Sequence, residues 1–215
     1  MSAASTDGAS LRARGFTLVE LLIVISIISL LAVALLPAIL DADSAAKDTA
    51  TQATMVQLKT GCEKFARKHG YYPPDDLKSP EQGGPGGWLA DNTTNTGIES
   101  LVVFLSQSKQ DGMDLGELAD HITNTDKDQH GIDLPLLHRS DRPEIADAWG
   151  RPFAYFGKFG MDKTQQVMIS EEETVPAKAK KRPDGTYLGA GKFQLLSAGK
   201  DGIFGTDDDL SFPEN

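Results

Sequence analysis

The 215-residue chain has a single cysteine, Cys62, so it can close no disulfide of its own and can build no thiolate zinc cluster. Aromatic residues are scarce, at 7%, and bases are outnumbered, with 21 Lys and Arg against 31 Asp and Glu for a formal charge of -10. No basic run is longer than Lys180, Lys181 and Arg182, which leaves no electrostatic footprint for a phosphate backbone and sets nucleic acid aside as a partner. Catalytic patterns are missing too. His69, His121, His130 and His138 lack metal-ligand spacing and no Gly-x-Ser-x-Gly elbow occurs, so the chain is not expected to be an enzyme. Asp126-Lys127-Asp128-Gln129-His130-Gly131 opens like a calcium loop, yet His130 stands at its fifth position and Leu137 where an EF-hand requires Glu. That stretch reads as a solvated loop. The length suits one ordinary domain plus a separate element.

What the sequence does have is apolar length. From Phe16 to Leu40 the only charged side chain is Glu20. As a helix the segment is about 37 Å long, enough to cross a hydrocarbon core of roughly 30 Å with some tilt. Arg12 and Arg14 precede it, and the first charges after it are Asp41 and Asp43. The positive-inside bias then holds the N-terminus in the cytoplasm and exports the rest. A secretory signal carries small residues after its apolar core, where Leu36-Pro37-Ala38-Ile39-Leu40 offers only a weak site. Here the small residue, Gly15, precedes the core. Glu20, read alone, either snorkels to the interface or has a partner, because a charge within such a helix costs roughly 2.5–3.5 kcal/mol on insertion scales.

Arg14-Gly15-Phe16-Thr17-Leu18-Val19-Glu20 resembles the processing site of type IV pilins and type II secretion pseudopilins. The resemblance implies that a prepilin peptidase removes residues 1–15 by cutting after Gly15 and methylates the new amino terminus at Phe16. It also implies that the helix of residues 16–40 stays on the mature protein and packs in a filament core. Glu20, the fifth mature residue, would neutralise the amino terminus of a neighbouring subunit, and Pro37, the twenty-second, would mark where the helix bends or melts during assembly. Ser29 stands where many members have glycine.

Past Pro37 the pattern becomes amphipathic, with Met55, Leu58, Cys62, Phe65 and Ala66 at three- and four-residue steps. This predicts a helix over residues 41–70 that stops at Gly70, before Tyr71-Tyr72-Pro73-Pro74. Residues 71–215 form the head. Ile98 to Leu105 reads as a short helix and Glu81 to Gly87 as a loop. Asp111 to Asp133 is too polar to contribute much core, and strands are predicted at 153–156, 166–169 and 193–196. Glu171 to Arg182, with opposed charge blocks around Pro176, reads as a solvated loop. The fold class is α+β: a ladle in which one long N-terminal helix packs on a small antiparallel sheet.

Three head segments extend the resemblance. His69-Gly70-Tyr71-Tyr72-Pro73 is similar to the pseudopilin helix exit, and Asn95-Thr96-Gly97-Ile98-Glu99-Ser100-Leu101 to the short helix after it. Asp147-Ala148-Trp149-Gly150-Arg151-Pro152-Phe153 resembles the turn into the sheet, with Ala148 in place of a proline and Trp149 expected to pack over the strands. Longer insertions fall at 111–142 and 158–191. The C-terminal run from Leu195 through Asp201-Gly202 to Asp207-Asp208-Asp209-Leu210-Ser211 reads from composition as an acidic solvated turn. Resemblance to the major pseudopilin implies a structural calcium loop instead, held by the Ala198 carbonyl, the carboxylates of Asp201 and of Asp209 or Asp208, and the Ser211 hydroxyl.

The family implies a single-pass inner-membrane protein with a periplasmic head. It would polymerise through its N-terminal helix with its own copies and other pseudopilins, on an inner-membrane assembly platform, to drive export through a type II secretion system. The alternative is a pilin or minor pilin acting in surface adhesion or DNA uptake. Mass spectrometry of the membrane fraction should find a mature chain beginning at a methylated Phe16 with its apolar helix intact. A mature form starting beyond Leu40 would overturn this reading.

Overall fold

The computed structural model describes residues 16–77, 91–107, 113 and 115–214. The leader with Gly15 and the Glu81 to Gly87 loop lie outside the described residues. The chain divides into two compact units, residues 1–43 and 44–215.

Helix α1 runs Leu18–His69, and its first part is all that is described of the first unit. Leucine, alanine and the β-branched valine and isoleucine dominate there, with no glycine or proline before Pro37, which the helix carries in its interior. None of the apolar stretch is buried within the chain: Leu30 is 72% exposed and Val33 75%. The helix is long and apolar enough to cross a membrane.

In the second unit the remainder of α1 is amphipathic, as its spacing predicts. Met55, Leu58, Cys62 and Phe65 are buried, while Ala66 is half-buried. Gly70 ends the helix with φ 79°, and its amide returns to the Ala66 carbonyl at 2.9 Å, the left-handed cap that a side chain rarely tolerates. The following prolines are pinned rather than loose. The Tyr155 hydroxyl donates to the Pro73 carbonyl at 2.6 Å and the Ser100 hydroxyl to that of Pro74 at 2.6 Å.

Helix α2 spans Thr96–Leu105. A 3-10 turn at Leu115–His121 leads into β1 (Ile122–Thr123), β2 (Gln129–Leu134), β3 (Arg139–Asp141) and β4 (Glu144–Ile145). Then come β5 (Ala154–Gly157), β6 (Thr164–Ser170), β7 (Glu173–Lys178), β8 (Phe193–Ser197) and β9 (Leu210–Phe212). These strands pair antiparallel in several small sheets: β1 with β4, β2 with β3, β6 with β7, and the three-stranded β5-β8-β9. The architecture is α+β and pilin-like, but the single sheet expected from the sequence is divided.

Strand alternation explains why β5 and β8 are buried along their whole length. Tyr155, Phe193 and Leu195 join Met55, Leu58 and Phe65 of α1 and Ile98, Leu101 and Leu105 of α2 in one cluster. Their neighbours Ala154, Phe156 and Leu196 point the other way, into a second cluster with Val167 of β6 and Ala177 of β7. Here the structure corrects three expectations. Glu171 to Arg182 is no solvated loop: it supplies β7, whose Ala177 is 0% exposed and closes the second face. Its charges point outward while alternate residues pack. Asp111 to Asp133 contributes core through Leu115 and Leu118, with His130 buried in β2, because a few well-placed apolar residues suffice where the stretch lies against the rest. Trp149 is half-buried and joins none of the hydrophobic clusters of the described residues; Phe153 fills the interior instead.

Gly97 shows why the motif before α2 contains glycine. A Cβ there would lie 2.2 Å from the Tyr155 carbonyl oxygen of β5. Ala for Gly within a helix ordinarily stabilises by about 1 kcal/mol. Gly97→Ala should instead destabilise by about 1–3 kcal/mol, as overpacking does, and chemical denaturation of the full chain in detergent checks the sign. Equal or greater stability would show that α2 is free to move off β5.

Candidate functional site

Two segments carry the candidate function. At the N-terminal one, Phe16 is 78% exposed and Thr17 precedes the first turn of α1. The Thr17 hydroxyl accepts the Glu20 amide at 3.2 Å, while Glu20 Oε2 accepts the Thr17 amide at 2.9 Å and the Thr17 hydroxyl at 2.8 Å. This is a reciprocal capping box, and the Thr-x-x-Glu spacing that announces it is legible in the sequence though hidden in an apolar run. Glu20 is therefore no orphan: its carboxylate accepts both the amide and the hydroxyl of Thr17 at the helix start. Further along, the Ser26 hydroxyl returns to the Leu22 carbonyl at 2.7 Å, so that polar group needs no water.

The second segment begins at Asp147. Its Oδ1 accepts the amides of Trp149 at 2.9 Å and Arg151 at 3.0 Å, and its Oδ2 accepts the buried Ser197 hydroxyl at 2.6 Å. The Arg151 guanidinium donates to the carbonyls of Gly199 at 2.5 Å and Lys200 at 3.2 Å. Thus the Asp-x-Trp-Gly-Arg turn, which from sequence alone looked like a support for Trp149, ties the root of the C-terminal loop to the sheet. Burial raises the Asp147 carboxyl above its ordinary range against the pull of these donors.

From Ala198 to Ser211 the loop folds back on itself. Gly202 donates to the Ala198 carbonyl at 3.1 Å, and Gly199, at φ 57°, brings the backbone so near Asp208 that a Cβ would stand 2.3 Å from its carbonyl oxygen. Asp208 accepts the Asp201 amide at 2.9 Å through one oxygen and the Thr206 hydroxyl at 2.6 Å through the other. Burial presses its carboxyl upward, but those bonds outweigh it and leave it below the usual range. Asp201 Oδ1 accepts the Ile203 amide at 2.7 Å. Asp209 Oδ2 accepts the Gly205 amide at 2.8 Å and lies 3.5 Å from the Lys180 ammonium, while its Oδ1 is buried without a hydrogen-bond partner. Burial raises Asp209, opposed by Gly205 and Lys180. Ser211 stands opposite Leu196 in the β8–β9 ladder. The carboxylate triads of the described residues whose oxygens approach within 4.8 Å of one another lie elsewhere. As a cation site the loop thus has one bare buried oxygen, a folded-back backbone with carbonyls, and carboxylates now engaged by its own amides.

Residues 10–36 match the family described as the prokaryotic N-terminal methylation motif, and with the long helix behind it this match supports a type IV pilin-like protein. No curated protein and no solved structure matches the chain. Proteins with this motif are structural subunits, and the motif implies prepilin peptidase processing and pilus-type assembly. The apolar helix and the motif fit a single-pass membrane protein.

Proposed function

We propose that this chain is a structural subunit of a periplasmic pseudopilus that helps drive protein export through a type II secretion system. The observation that carries the reading is how the chain end is closed. Asp147, Arg151 and Ser197 root the C-terminal loop without a disulfide, in the motif that resembles the pseudopilin turn. A surface pilin that relies on a cystine loop would need a second cysteine beside Cys62. The acidic balance further disfavours DNA capture.

In this reading residues 1–15 are removed, residues 16–40 form the filament core and Glu20 neutralises the Phe16 amine of a neighbouring subunit. Thr17 keeps that carboxylate supplied with donors until the partner arrives, so insertion never exposes a bare charge to hydrocarbon. Calcium would be held by the Ala198 carbonyl, Asp201, Asp208 or Asp209, and Ser211, clamping the loop to β8. The Asp209 oxygen that lacks a donor supports it, and Lys180 at 3.5 Å is the group the ion would have to displace or share.

In cells lacking the wild-type chain, Glu20→Ala should insert into the membrane yet leave no filaments and strand secreted proteins in the periplasm. Normal filament yield would remove the role of Glu20. Normal secretion with loss of surface adhesion or DNA uptake on deleting the gene would favour the pilin alternative. For the loop, calcium at a hundredfold excess over its dissociation constant adds about 2.7 kcal/mol. Asp201→Ala in the detergent-solubilised chain should lose that part of the calcium-dependent rise in melting temperature. Equal calcium responses in mutant and wild type would reject the loop site.

A further inference from the structure

Away from the C-terminal loop, five carboxylates from separate parts of the second unit meet. They are Asp91 ahead of α2, Glu99 in its first turn, Asp126 and Asp128 between β1 and β2, and Glu144 in β4. Oxygens of Asp91, Glu99 and Asp128 lie within 4.8 Å of one another, as do oxygens of Glu99, Asp126 and Glu144. Acidic clusters are common on a protein of this charge, but a carboxylate like Glu99 is not. It is 0% exposed, and neither of its oxygens has a hydrogen-bond partner. Leaving a buried carboxylate in that state is among the most costly arrangements a fold can hold.

The surrounding bonds show what the vacancy in hydrogen bonding suits. Asp91 Oδ2 accepts the Thr93 amide at 3.1 Å and the Thr96 hydroxyl at 2.7 Å, while its Oδ1 is buried and accepts none. Asp128 Oδ2 accepts Arg142 at 2.9 Å, while its Oδ1 is buried and accepts none. In both residues one oxygen is fixed by a donor and the other makes no hydrogen bond, that of Asp91 facing the Arg142 guanidinium at 3.6 Å, and such outer hydrogen bonds orient ligands toward a metal. Glu144 is different, since Asn95 at 2.7 Å and the Thr125 amide and hydroxyl occupy its oxygens. Asp126 is likewise engaged, by Asn92 at 2.9 Å and more weakly by the Asp128 amide at 3.4 Å. These two add negative charge without bare buried oxygens.

Among the described residues the charge is not balanced by ion pairs. Arg142, 1% exposed, pairs with Asp128 and lies 3.6 Å from Asp91, and Lys127 is drawn away to Glu171 at 3.2 Å. One guanidinium faces five carboxylates. We infer that Asp91, Glu99 and Asp128 form a site for a hard divalent cation, calcium, with Glu99 offering both oxygens and Asp91 and Asp128 one each. All the donors are oxygens, and a carboxylate with two bare oxygens suits the large, flexible shell of calcium better than the strict octahedron of magnesium.

A proton is the rival occupant. Burial first, then Asp128, Asp126, Glu144 and Asp91, push the Glu99 carboxyl up to about 11 where no ion is present. A neutral acid, however, brings a single donor for one neighbouring oxygen at most, so protonation leaves the charge of the other carboxylates and their remaining bare oxygens uncompensated. A cation removes both defects. It would also join the segment before α2 to the β1–β2 connection.

The test is equilibrium dialysis with radioactive calcium on the full chain in detergent after chelation, beside thermal melting. Asp201→Ala, which spares this site, should retain one calcium per chain, and Asp128→Asn added to it should abolish that binding. Saturating calcium should raise the melting temperature of Asp201→Ala by ~5–10 °C at a hundredfold excess over the dissociation constant, and the double variant should show no rise. Glu99→Gln guards against misfolding, because removing the buried charge should leave the chelated protein at least as stable as wild type while still losing the ion. The inference is overturned if Asp201→Ala binds no calcium, or if Asp128→Asn and Glu99→Gln leave its binding unchanged. Loss of calcium response only in Asp201→Ala would support the C-terminal loop and reject this site.

Discussion

An apolar helical stretch that buries none of its side chains within its own chain must be covered by something else, and this constraint organises the N-terminal unit of the protein. Every backbone group of such a helix is satisfied internally except at its ends, which is why a start inside an apolar run needs a built-in cap. Thr17 and Glu20 provide it. The same carboxylate that a family resemblance assigns to assembly is, in the single chain, a structural element of the helix start. The two roles are compatible because a capping carboxylate keeps its charge, and a charge held at the edge of hydrocarbon remains available to a cation from another chain.

The head solves a different problem, that of making a core from a chain with few aromatic residues. Its answer is a central pair of strands buried on both faces, with α1 and α2 on one side and the β6–β7 hairpin on the other. Burial on both faces draws more apolar area from each residue than a one-sided sheet allows, and so a modest number of Leu, Phe and Tyr side chains is enough. Close approach follows from the same arrangement: Gly97 lets α2 sit against the β5 backbone, and Tyr155 reaches across to the Pro73 carbonyl.

With no disulfide to hold them, the irregular segments are fastened by polar groups. Asp147 and Arg151 secure the root of the C-terminal loop, and Asn95, held at φ 53°, bonds Met168 of β6 with its carbonyl and Glu144 with its amide. Such bonds are strong because they lie out of water, and they must therefore be complete. Where acidic groups gather without donors, as at Glu99, a cation completes the set in the reading argued above.

The sequence by itself determined the elements whose signal is local. The apolar run marks a helix fit to cross a membrane, and the motif around Gly15-Phe16 implies prepilin peptidase processing; the three- and four-residue steps of Met55, Leu58, Cys62 and Phe65 establish the buried face of α1, and Gly70 establishes its end. Strand positions in β5, β6 and β8 were legible because apolar residues are continuous there. Tertiary structure decided what depends on partners far away in the chain. Strand β7 was illegible because of its six residues only Ala177 is buried and Val175 half-buried, while the charges in and around it dominate the composition, and the burial of Leu115 and Leu118 depends on a neighbour that periodicity cannot name. Trp149 was expected to pack over the strands, yet it joins no hydrophobic cluster of the described residues and Phe153 enters the core. The carboxylates of Asp91, Glu99 and Asp128 are ordinary surface residues in the sequence, and only the packing of α2 against the β1–β2 connection brings their bare oxygens to one point.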